Sequence, residues 1–72
     1  MRLMDTFQEE MMAALSSRDP EPLIVGVMLR IARQLERRGF VQVGRTDRKG
    51  DNGVRLYEVC LTTAGRAHAR GK

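Results

Sequence analysis

Seventy-two residues with three aromatic side chains, no Trp and a net charge of +4 leave room for one small basic domain with an aliphatic core. A chain this short buries only about 60–65% of the surface its unfolded form exposes, so its five Met act as adaptable filler, and a second copy would add what one core lacks. A single cysteine, Cys60, excludes an internal disulfide; no CxxC or CxxxH spacing offers a zinc site, and no apolar run approaches a membrane span.

The first predicted element is a helix within residues 1–18, running from about Thr6 to Ser16. Its stripe is Leu3 or Met4, Phe7, Met11 and Leu15, with Met12 alongside. Asp5 or Thr6 is the capping candidate, and Asp5, Glu9 and Glu10 suit the positive end of the helix dipole. Core or dimer packing explains the Met-rich stripe, and Phe7, Met11 and Leu15 are the residues expected at a dimer contact. These acids stand where a secretory signal would need an apolar run, so the expected location is the cytoplasm.

Asp19-Pro20-Glu21-Pro22 reads as a stiff helix start, with Asp19 or Glu21 placed where negative charge helps. The second helix is predicted over residues 23–38. Ile24, Val27, Met28, Ile31 and Leu35 form its buried face, and Gly26, Arg30, Arg33 and Arg37 lie opposite, with Gln34 at the edge. Glu36 lies to one side of that arginine row, so the face carries one sign of charge, as contact with phosphates requires. Gly39 is the residue expected to stop the helix.

Residues 40–61 read as a hairpin. Phe40 to Val43 forms one short strand and Val54 to Leu61 the other. Between them GRTDRKGDNG forms a long tip that carries Arg45, Arg48 and Lys49, with Gly50 and Gly53 to accommodate the reversal. Cys60, among apolar neighbours, is expected in the core. Thr62 then caps a short helix within residues 62–70.

Charge is unevenly placed along this chain. Residues 1–22 hold two bases against five acids, a net −3, whereas residues 23–72 hold eleven against four, a net +7. The basic part points to a polyanionic partner.

Leu35-Glu36-Arg37-Arg38-Gly39-Phe40-Val41, the charged tip, and Leu61-Thr62-Thr63-Ala64-Gly65-Arg66 together resemble the recognition-helix end, wing and following helix start of winged helix-turn-helix regulators of MarR-like and PadR-like texture. The resemblance covers roughly residues 23–70. It implies an α+β winged-helix domain with two main helices, a two-stranded β-hairpin wing and a short C-terminal helix. One N-terminal helix of the full family pattern is missing, and the joint SSRDPEP is longer than the usual turn. Carried over residue by residue, it places Arg30, Arg33, Gln34 and Arg37 in the major groove of duplex DNA and Arg45, Arg48 and Lys49, on the wing, against the adjacent backbone or minor groove.

Catalysis finds no foothold in the sequence. His68 is the one histidine and lies in a basic tail, the acids are scattered, and no phosphate-binding glycine loop is present, so neither an enzyme nor a cofactor is expected. Two functions remain. The first is a DNA-binding transcriptional regulator, expected as a homodimer. The second is a protein-interaction module, an inhibitor or adaptor of the kind mobile elements encode, which would meet a protein partner through Val25, Leu29 and the arginine face.

Overall fold

The computed structural model describes residues 5–71, so Leu3 and Met4, expected on the first stripe, lie outside the described residues. The elements run α1 (Thr6–Arg18), β1 (Leu23–Val25), α2 (Leu29–Arg37), β2 (Val41–Lys49), β3 (Arg55–Leu61) and α3 (Thr63–Arg70). They form a small α+β domain in which β1, β3 and β2 make one antiparallel sheet in that spatial order. No helix among the described residues is long and apolar enough to cross a membrane.

Asp5 resolves the choice of first cap: its carboxylate accepts from the Gln8 N–H at 2.9 Å. The buried stripe of α1 is Gln8, Met11, Met12 and Leu15, a regular i, i+3, i+4, i+7 face. Phe7, expected inward, is 58% exposed. Neighbouring helical positions differ by about 100°, so turning Gln8 inward carries Phe7 to the rim. The Gln8 carboxamide tolerates that position because it donates to Gln34 Oε1 at 2.8 Å and accepts from Arg38 Nη1 at 3.4 Å. Met11 and Leu15 fill the protomer's own core and are only 5% and 1% exposed. Of the three residues expected at a dimer contact, only Phe7 therefore has surface to give.

The second helix is shorter than its periodicity suggests. Residues 23–25 are a strand, and the sheet has three strands where the hairpin alone implied two. Leu23, Ile24 and Val25 pair with Val59, Glu58 and Tyr57 of the central strand. A run of three β-prone apolar residues fits helical and extended periods equally well, and only the neighbouring strand decides. Pro20 and Pro22 supply no backbone donors before it, and Gly26 ends it where a Cβ would lie 3.4 Å from Leu56 Cδ2. Val27, assigned to the buried face of a longer helix, sits in the turn and is 79% exposed. Within α2 itself Ala32 and Leu35 are fully buried. Gly39 stops the chain as expected, with φ +83.

Strand β2 continues to Lys49, so Arg45, Arg48 and Lys49 stand on a strand rather than in a loose tip. The segment Arg45–Lys49 spans five residues opposite the three of Arg55–Tyr57, and β2 thus carries a bulge of two extra residues. Thr46 closes that irregularity. Its hydroxyl donates to the Leu56 carbonyl at 2.7 Å and accepts from the Arg48 N–H at 3.1 Å, while Arg55 Nη1 donates to the Thr46 carbonyl at 3.0 Å. The reversal itself is the four-residue turn Gly50 to Gly53, closed by the Gly53 N–H on the Gly50 carbonyl at 2.9 Å, with Gly53 at φ +79.

Thr62 caps α3 and ties it to the end of α2. Its hydroxyl oxygen accepts from the Gly65 N–H at 3.0 Å and donates to the Gly39 carbonyl at 2.6 Å, and its N–H donates to the Phe40 carbonyl at 3.0 Å. Gly65 is buried against that carbonyl, with no room for a side chain. Arg66 then grips Asp19 with a two-pronged contact of 2.9–3.1 Å, so Asp19 anchors α3 instead of starting a helix. That guanidinium holds the Asp19 carboxyl below the usual carboxylate range. The core lies between the helices and one sheet face, where Leu15, Leu35 and Val59 are the largest fully enclosed side chains. Cys60 points to the other face and is only half buried, contrary to a core position.

Candidate functional site

The arginines of α2 keep their common face. Arg30, Arg33 and Arg37 are exposed, and with Leu29 and Gln34 they line one shallow depression along the helix. Over nine residues this helix is about 13 Å long, so three guanidinium groups share a rod two and a half turns in length.

The three are not equivalent. Arg33 Nη1 donates to Glu36 Oε1 at 2.9 Å, so the acid that seemed to lie aside from the row is the partner of its central member. Glu36 is itself held by the Val43 N–H at 3.3 Å. Arg33, and then the Val43 N–H, keep the Glu36 carboxyl below its ordinary range. Arg30 and Arg37 make no ion pair among the described residues. Gln34 is half buried and its carboxamide oxygen is engaged by Gln8, so it stands at the edge of the site as part of the α1–α2 contact. Arg38 lies 5.5 Å over the Phe40 ring, which also stacks on the His68 ring at 4.6 Å between centroids.

The basic residues of β2 divide by strand alternation. Val41, Val43 and Arg45 pair with Leu61, Val59 and Tyr57 and share their face, the one that packs against the helices. Along β2 this face passes from buried Val41 through half-buried Val43 to exposed Arg45. The core thus opens, at one end of the sheet, into a charged patch. Arg33 stands over the same place, its guanidinium 6.0 Å from the centre of the Tyr57 ring. The bulge re-aims the chain beyond Arg45, where Asp47, Arg48 and Lys49 are all exposed. Asp47 is an acid among these bases, and Arg55 is held back by Thr46.

Tyr57 is the residue that sequence reasoning missed. It reads as one more β-former, and nothing in its immediate neighbours marks it. Its position between Arg33 and Arg45 follows from the β2–β3 register and the seat of α2 on the sheet, both long-range properties. Glu36 and Gln8 were missed for the same reason.

A second surface feature lies apart from this patch. Phe7, Glu10, Ile24 and Met28 rim a shallow apolar groove beside the edge strand β1. Phe7 is 58% exposed, Met28 38% and Ile24 37%.

No protein-family model, curated protein or solved structure matches this chain.

Proposed function

We propose that this chain is a small DNA-binding transcriptional regulator of winged-helix type, which sets α2 and the β2–β3 hairpin against duplex DNA. One observation carries the reading. The exposed arginines of α2 and the basic strand β2 border the same residue: the Arg33 guanidinium lies 6.0 Å from the centre of the Tyr57 ring, and Arg45 stands directly opposite Tyr57 in the β2–β3 ladder. Guanidinium groups spaced along a helix and a neighbouring hairpin match a polyanion of regular phosphate spacing, and they also suit hydrogen bonding to guanine edges. The same order of parts supports the winged-helix reading: a helix stopped by Gly39, a charged hairpin, and a capped helix whose Thr62 and Gly65 dock on the start of that hairpin. The single helix before α2 sets this chain apart from the fuller family pattern.

The test is fluorescence anisotropy of the protein with random-sequence duplex DNA across a salt series. About four to six neutralised phosphates would give a log–log slope near −4 to −5. Arg48→Ala, on the exposed bulge, is expected to weaken binding to all sequences alike and to flatten the slope by about 0.9. No binding at low salt would overturn the proposal.

The apolar groove favours a second reading, a protein-interaction module. DNA offers little to Phe7, Val27 and Met28, whereas a protein partner, including a second copy of the chain, would cover them. Sedimentation equilibrium separates a homodimer from a monomer that awaits another partner.

A further inference from the structure

We infer that Arg33, Tyr57 and Arg45 form a binding notch for one backbone phosphate at the junction of helix and hairpin. The inference rests on the DNA-binding reading and names a subsite within it.

Three features mark the notch out from a general basic surface. First, it is positioned. Arg33 Nη1 is paired with Glu36, which in turn accepts from the Val43 N–H, so one end of the guanidinium has a partner and its remaining donors stay available. A held arginine gives up less freedom on binding than one that ranges through solvent. Second, two cations border one side chain. Arg45 is directly opposite Tyr57 in the antiparallel ladder, which places their Cβ atoms about 5 Å apart on one face, and Arg33 lies 6.0 Å from the ring on the helix side. Third, the floor carries a donor. Tyr57 is half buried beside Val25 and Val59, with its ring supported by the core rim, and a phenol offers an O–H that a phosphate oxygen accepts. Two arginines and one phenol brought to the same place by helix and hairpin suit a singly charged phosphodiester, which needs several donors and benefits from partial removal of water.

The rest of the basic surface differs in each respect. Arg30 and Arg37 have no anchoring acid among the described residues, and Arg48 lies within the bulge and Lys49 at its far end, neither of them over an aromatic ring among the described residues. Those residues neutralise phosphates without an anchored seat, whereas the notch fixes where the helix and hairpin sit along the backbone.

The test combines Tyr57→Phe, Arg33→Ala, Arg45→Ala and the Arg33→Ala/Arg45→Ala double variant with Arg48→Ala as a reference outside the notch. Affinity for random duplex DNA is measured across the salt series, and circular dichroism melts establish that each variant is folded. Tyr57→Phe keeps the ring and the charge, so it should weaken binding roughly three- to tenfold at every salt concentration without changing the slope. Arg33→Ala and Arg45→Ala should each weaken binding about tenfold, and the double variant should lose less than the product of the two because both serve one phosphate. Its slope should flatten by about 0.9, a single phosphate's share, rather than twice that. If wild type binds and Arg48→Ala weakens it while Tyr57→Phe is unchanged and the two arginine effects multiply, the notch is refuted and the DNA-binding reading stands. If wild type does not bind, both fall.

Discussion

Gly65→Ala tests the docking of α3 with a single methyl group. The added Cβ would sit inside contact distance of the Phe40 carbonyl oxygen, 3.0 Å from that carbonyl carbon and 3.1 Å from Leu61 Cδ2. Backbone is the main obstacle, so no side-chain rotation relieves the clash, and α3 has to move away from the start of the hairpin. Overpacking of this kind costs about 1–3 kcal/mol. The shift would also stretch the Thr62 N–H bond to the Phe40 carbonyl, now 3.0 Å, worth about 1 kcal/mol. Replacing a helical Gly with Ala works in the opposite direction by about 1 kcal/mol. The net expectation is a loss of about 1–3 kcal/mol in a domain whose whole stability, at 0.05–0.15 kcal/mol per residue, is about 4–11 kcal/mol. A melt followed by circular dichroism should show Tm lower by roughly 4–24 °C. Ala64→Gly, at the exposed position just before it, supplies the propensity effect alone. A Gly65→Ala protein that melts at or above the wild-type temperature would refute the close approach of α3 to Phe40.

Other variants probe separate contacts. Thr62→Ala removes both the cap on Gly65 and the bond to the Gly39 carbonyl and should cost about 1–2 kcal/mol by urea denaturation, with Thr62→Ser recovering most of it. Gln8→Ala strips the partner from the Gln34 carboxamide oxygen and should lower stability by about 1–3 kcal/mol, more than an alanine replacement at exposed Glu9. Asp19 has a folded-state pKa below its unfolded value, so its contribution is complete above the unfolded carboxylate pKa of about 3.9 and is lost as pH falls through the lower folded value. Asp19→Asn should therefore reduce stability at pH 7 and leave a smaller drop between pH 5 and pH 2 than wild type shows. Because the pair with Arg66 is solvent-accessible, added salt should shrink that difference.

Features fixed by contacts within a few residues are legible in the chain. Asp5 and Thr62 as caps, Gly39 as a helix stop and the Gly50–Gly53 reversal each depend on what one or two neighbouring peptides demand of a side chain. The arginine row of α2 belongs with them, since 30, 33 and 37 share a face in any helix that contains them. The tertiary structure decided the rest. Leu23, Ile24 and Val25 suit a helix or a strand, and β3, more than thirty residues later, supplies the pairing that makes them β1. The phase of α1 turned on Gln34 and Arg38, which satisfy Gln8 inside and release Phe7 to the surface. The length of β2 turned on Thr46 reaching across to Leu56. The candidate notch has the same origin: Arg33, Arg45 and Tyr57 are twelve residues apart at each step in the chain, and only strand register and helix seating bring Arg33 and Arg45 to Tyr57. Periodicity and capping are local free energies that a sequence window contains, whereas a strand's partner and a helix's rotation are set by groups the window does not reach.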